Sequence, residues 1–174
     1  MLKIFATQLQ GIFKKIEEKE EESLEDGARL LSQALIGDGS VYIHGFDELK
    51  SIEFTALKGP ETFPKALPLY THDTLADITS LDRVLLISRT SSDPSAVQLA
   101  TLLREKGVSV VAISNIGDED LLSTLVDVHI NSYVTKGLIP DDTGNRYGLP
   151  TTIGALYAYY GLYFTVKEFL EENE

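Results

Sequence analysis

A run over residues 83–115, RVLLISRTSSDPSAVQLATLLREKGVSVVAISN, leaves few architectures open. Residues 84–87 are unbroken apolar sequence, as expected of a strand buried on both faces. Residues 88–93 form a loop rich in hydroxyls. Pro94 suits the first turn of a helix, where its missing N–H has no intrahelical partner. Ala96, Leu99, Ala100, Leu102 and Leu103 give that helix an apolar face, and Gly107 ends it. Residues 108–113 read as a second buried strand. Strand, loop, helix and strand in this order predict two parallel strands joined by a right-handed crossover. The loop then lies at the carboxyl edge of the sheet, above a helix N-terminus. Backbone N–H groups and the helix dipole favour an anion there.

The flanks continue the alternation. Leu2, Phe5, Leu9, Ile12, Phe13 and Ile16 mark an amphipathic helix. The acidic run 17–22 reads as a solvated helix end or a bend. Ser23, with Asp26 three residues on, reads as the cap of a second helix that stops at Gly37. Residues 1–36 are thus a helical arm, which suits a dimer contact or folds back on the sheet. Residues 40–44 are the first strand, and Gly45-Phe46-Asp47 turns into a helix that Gly59-Pro60 stops. A short strand near 66–70, one helical turn before Asp82, a short acidic helix over 117–125 and a fifth strand over 126–130 are expected. Residues 136–150 form a long turn-rich loop. A final helix over 150–172 is rich in tyrosine, and the tail EENE is solvated. The pattern predicts one domain, residues 1–174, an α/β sandwich with a mostly parallel sheet of five strands. Such folds bind ligands at the carboxyl ends of the strands, where the strand order reverses.

Charge and composition narrow the partners. The net charge of −12 argues against nucleic acid, which needs a cationic face. It also requires any anion site to work through local dipoles and hydroxyls. No apolar run approaches the roughly 20 residues that cross a bilayer, and the first residues lack a signal-peptide pattern. With no cysteine there is no disulfide and no thiolate chemistry. A cytoplasmic location and no membrane partner are expected.

The 83–115 unit resembles the sugar isomerase (SIS) domain, and within it the phosphoheptose isomerases. That family has a strand ending in Ser-x-Ser-Gly-x-Ser/Thr, a helix ending in glycine and a second strand. Here the loop reads Ser88-Arg89-Thr90-Ser91-Ser92-Asp93 and the helix ends Arg104-Glu105-Lys106-Gly107. The resemblance implies a three-layer α/β/α sandwich, with the five-stranded sheet in the flavodoxin-type order. It also implies a phosphorylated sugar as ligand, and dimers or tetramers with sites near subunit interfaces. Ser88 matches the first phosphate-binding serine, and Thr90 the second with its hydroxyl kept. Ser91 replaces a glycine, and Asp93 replaces the last Ser/Thr. An N-cap aspartate is good helix chemistry, but its carboxylate competes with a phosphate for the same N–H groups. Arg89 is placed to neutralise Asp93 or to take the phosphate itself. The first turn reads Gly45-Phe46-Asp47-Glu48 where the family has Gly-Gly-Ser. Phosphoheptose isomerases use a glutamate and a helix-borne histidine as acid/base groups and can carry a metal. The C-terminal helix here has no histidine, so neither the pair nor the metal carries over, and no cofactor is expected.

The candidate ligand-binding residues are therefore Gly45, Ser88, Arg89, Thr90, Ser91, Ser92 and Asp93. His44 at the strand end and Glu48 on the next helix are the candidate acid/base groups, with Glu53 a further carboxylate. Lys136 and Arg146 in the long loop are cations that suit a phosphate. His72 and His129 show no metal-ligand spacing. The expectation is a homo-oligomeric, sugar-phosphate-binding protein, and an aldose–ketose isomerase of the phosphoheptose type if it is an enzyme. The alternatives are a non-catalytic phosphosugar sensor or scaffold with the same fold, and a different doubly wound domain that has converged on a serine-rich loop.

Overall fold

The computed structural model describes residues 1–173; Glu174, the end of the tail expected to be solvated, lies outside them. Its main sheet has five strands: β1 (Val41–Gly45), β2 (Ala66–Pro68), β3 (Arg83–Thr90), β4 (Ser109–Asn115) and β5 (Val128–Asn131). They lie in the order β2-β1-β3-β4-β5, and every neighbouring pair is parallel. This is the flavodoxin-type order, and it reverses between β1 and β3.

Among the described residues six helices flank the sheet: α1 (Leu2–Lys19), α2 (Glu21–Ile36), α3 (Lys50–Lys58), α4 (Pro94–Glu105), the short α5 (Leu122–Leu125) and α6 (Thr151–Glu172). Successive strand side chains point to opposite faces, so each unbroken apolar strand feeds two cores. Leu85 and Ile87 of β3, with Val111 and Ile113 of β4, pack into one core with α1, α2, α3 and α6. Val84 and Leu86, with Val110 and Ala112, pack into the other with α4 and α5. That is the three-layer sandwich. Leu85 and Leu86 are both fully buried, each stabilising the fold by about 1.5–3 kcal/mol relative to an exposed side chain.

Three local expectations are corrected. Ser23 does not cap α2, which starts at Glu21 and takes Ser23 inside. The bend expected in the acidic run lies at Glu20, which is buried although Glu17, Glu18, Glu21 and Glu22 around it are exposed. Its carboxylate accepts the Asn131 N–H at 3.1 Å and the Tyr133 hydroxyl at 2.6 Å, tying the α1–α2 bend to the end of β5. Burial, then the Glu20 carboxylate, push the Tyr133 hydroxyl up to about 12. The segment before Asp82 forms no helical turn. It holds a hairpin of Tyr70–Thr71 and Thr74–Leu75, turned through His72 and Asp73 at φ 49° and 61°. The acidic 117–125 segment is helical only over Leu122–Leu125. The long 136–150 loop contains a second small hairpin, Ile139–Pro140 with Arg146–Tyr147.

Candidate ligand cleft at the strand reversal

β1 and β3 end side by side, and the turn after β1 is fixed by close backbone packing. The Phe46 N–H donates to Ile87 O at 2.9 Å, holding the turn against β3. Residues Asp47–Leu49 then form a single 3-10 turn that doubles back over Gly45. A Cβ on Gly45 would lie 2.2 Å from Leu49 O, so no other residue fits without moving the turn.

Glu53, on the first turns of α3, reaches back beneath this turn. Its Oε2 accepts the Gly45 N–H at 2.9 Å and the Lys50 ammonium at 3.0 Å. His44 Nδ1 lies 3.6 Å from the same oxygen and 3.5 Å from Lys50 Nζ. His44 and Glu53 are buried, whereas the Lys50 side chain is half exposed. Burial pushes the His44 imidazole down to about 4; the nearby Lys50 charge adds to this and Glu53 opposes it. At neutral pH His44 is therefore uncharged. Phe46 meets the imidazole edge-on at 4.6 Å between ring centres, and Tyr70 lies at 5.0 Å.

The serine loop uses much of its own polarity. The buried Ser88 hydroxyl donates to Thr90 O at 3.0 Å. The Ser91 hydroxyl, also buried, donates to Glu119 O at 3.3 Å. Thr90 and Ser92 are partly exposed, with their hydroxyl oxygens 3.4 Å apart. Asp93 caps α4, its Oδ1 accepting the N–H groups of Ser95 at 2.9 Å and Ala96 at 3.1 Å. Those are donors an anion at this helix end would seek. Arg89 makes its hydrogen bonds to Glu48 rather than Asp93, donating from Nε to Oε1 at 3.0 Å and from a terminal guanidinium nitrogen to Oε2 at 2.7 Å. This fork-to-carboxylate pair joins the turn after β1 to the loop after β3. It also holds the Glu48 carboxyl below its ordinary range, so Glu48 is an anion rather than an acid.

A cleft of about 550 Å³ opens at this reversal. Lys50, His44 and Phe46 line one side, Ser95 and Gln98 of α4 the other, with Tyr70 and Asp73 contributed by the small hairpin. Volume and make-up suit a small polar ligand held between aromatic faces. The structure thus brings His44, Gly45, Glu48, Glu53 and residues 88–93 to one end of the sheet, but of these only His44 lines the cleft. Lys136 and Arg146 are different: Arg146 donates to Gly137 O and Leu138 O, within its own loop. Lys136 is exposed in the same loop. His129 pairs with Ser114 at 2.7 Å under the sheet edge, and His72 sits on the hairpin turn. Among the described residues no cluster of three or more His, Asp or Glu side chains is arranged to hold a metal ion.

Lys50, Tyr70, Asp73 and Gln98 were not singled out by sequence reasoning. Gln98 is four residues after Pro94, so the helix period alone places it one turn above the helix start. Tyr70 and Asp73 had no such signal, because their position depends on a hairpin of only two residues per strand.

The architecture has known counterparts. Phosphoheptose isomerase GmhA from Neisseria gonorrhoeae shares the fold with a TM-score of 0.70 at 15% identity, over 94% of this chain and 95% of that one. The sugar isomerase domain of an RpiR transcription factor from Sphaerobacter thermophilus matches with a TM-score of 0.58 at 12% identity, over 98% and 96% of the two chains. At these identities the likeness is one of fold. In sequence, the chain is 42% identical over 175 residues to the uncharacterized protein YwjG of Bacillus subtilis (strain 168), spanning 99% of both. Residues 1–170 match the family model described as Domain of unknown function (DUF2529), and the chain belongs to that family.

Proposed function

We propose that this chain binds a phosphorylated sugar in the cleft at the β1–β3 reversal. The observation that carries the reading is the cleft's position: it opens where flavodoxin-type sheets bind ligands, in a fold shared with a phosphoheptose isomerase and a sugar isomerase domain. The sugar lies between Phe46, Tyr70 and α4, with its hydroxyls in reach of His44, Asp73, Ser95 and Gln98. The phosphate rests on the outer rim of the serine loop, at Arg89, Thr90 and Ser92. The inner positions are less suitable, because Ser88 and Ser91 are turned into the protein and Asp93 already holds two N–H groups of α4. Self-association through the helical arm, where Leu2 and Ile4 are exposed, and a cytoplasmic location belong to the same reading.

Binding without turnover is favoured by the state of the titratable groups. A histidine near 4 is a weak proton acceptor at neutral pH, Glu53 is held by two donors, and Glu48 is held by Arg89. One observation favours a second reading, aldose–ketose isomerisation. A neutral imidazole set against an ammonium is suited to polarise a carbonyl while a carboxylate moves the proton on the neighbouring carbon. Thermal-shift measurements with pentose, hexose and heptose phosphates test the binding, and stabilisation by at least one is expected. NMR of that sugar with the protein then decides turnover: unchanged isomer ratios fit the sensor, and interconversion fits the isomerase.

A further inference from the structure

A second groove lies away from the ligand cleft, between the α1–α2 bend and α6. Its main cavity is about 560 Å³, with Leu24, Tyr157, Tyr160 and Phe164 as apolar walls and Glu17, Glu18 and Glu21 at the rim. A shallower extension of about 270 Å³ runs on along α2 and α6 past Glu25, Glu168, Phe169 and Glu172. The two share Glu21 and Thr165 in their walls, so they lie end to end along α2 and α6 and are treated together as one channel.

Two properties set this channel apart. Phe164 is 57% exposed and Tyr157 37%, a surface that is costly to leave in water. The rim is acidic and mostly uncompensated. Glu18 meets Lys14 at 3.5 Å and Glu25 meets Arg29 at 2.7 Å, but Glu17, Glu21, Glu168 and Glu172 have no ion-pair partner among the described residues. At the edge of the extension the Arg29 guanidinium, paired with Glu25 and Asp26, lies 5.8 Å from the Phe169 ring centre.

We propose that this channel docks a basic amphipathic helix from another protein. Its apolar stripe fills the space between Leu24 and Phe164, and its lysines and arginines meet the glutamate rim. From Tyr157 to Glu172 the floor is about 22 Å long at helical rise, room for about four turns of a partner. Charge complementarity selects this occupant over a second copy docked channel to channel, since a two-fold pairing would set the unpaired Glu17, Glu21, Glu168 and Glu172 of one rim against those of the other.

The test uses the full chain and two fluorescent peptides of identical leucine and lysine content, one amphipathic as a helix and one scrambled. The amphipathic peptide is expected to bind about tenfold tighter than the scrambled one. Hydrogen exchange should slow over residues 157–165. Phe164→Ser and the pair Glu21→Gln with Glu168→Gln should each weaken binding about tenfold. The distant pair Asp118→Asn with Glu119→Gln should not. Equal binding of both peptides, or equal loss in the distant pair, would mean diffuse charge attraction and overturn the proposal. So would sedimentation showing that Phe164→Ser turns a dimer into a monomer, because the occupant would then be a second copy.

Discussion

The carboxylate of Glu53 accepts the backbone N–H of Gly45 at 2.9 Å, fastening α3 to the end of β1. That bond sits in the interior beside the candidate cleft, and the same oxygen holds the Lys50 ammonium. One side chain therefore sets the shape of the turn and the position of the cleft's cation.

Removing it should destabilise the protein. Glu53→Ala leaves the Gly45 N–H buried without a partner, a loss of about 1–3 kcal/mol. Glu53→Gln keeps an acceptor for Gly45 and should cost less. Urea denaturation of both variants measures the difference. Equal stability of Glu53→Ala and the parent protein would mean that water or another group satisfies Gly45.

His44 should make stability depend on pH. Its imidazole is held at about 4 when folded, below its ordinary 6.5 in an unfolded chain. Between these values the unfolded chain binds the extra proton, so stability falls as pH drops from 6.5 towards 4 and is flat above that window on account of this group. His44→Gln should show a shallower fall over the same window. An NMR titration placing His44 near 6.5 would contradict the account directly.

Asp93 should separate helix stability from anion affinity. Asp93→Ala removes the cap of α4 and should cost about 1 kcal/mol. Asp93→Ser retains capping ability while removing the negative charge. It should leave stability nearly unchanged and tighten phosphosugar binding, as read by calorimetry. Weaker binding in Asp93→Ser would mean that the carboxylate contacts the sugar.

Gly45→Ala is the steric test of the turn. The added methyl meets Leu49 O at 2.2 Å, a backbone clash that no rotamer relieves. Circular dichroism on heating should show a Tm lowered by several degrees, as expected of a loss of about 1–3 kcal/mol or more.

Much of this fold was legible from local pattern. The apolar runs of β3 and β4 and the Pro94 and Gly107 boundaries specify a parallel unit without reference to the rest of the chain. The sheet order and the reversal followed from the resemblance in the serine loop. What escaped was the part made by long-range pairing. Glu20 reads as one acid among many, and only its bonds to Asn131 and Tyr133 distinguish it. The Arg89–Glu48 bridge joins residues that lie far apart in sequence, so Arg89 read alone suggested Asp93 as its partner. Lys50 is an ordinary helix lysine until the turn at Gly45 brings it to His44 and Glu53.

The most direct test is a two-dimensional NMR titration of the labelled chain with the sugar phosphate that gives the largest thermal shift. A ligand at about 100 times its dissociation constant should add about 2.7 kcal/mol of stability. Saturable shifts confined to His44, Gly45, Lys50, Gln98 and the loop 88–93 are expected. Failure of every pentose, hexose and heptose phosphate to shift these residues at millimolar concentration would contradict it.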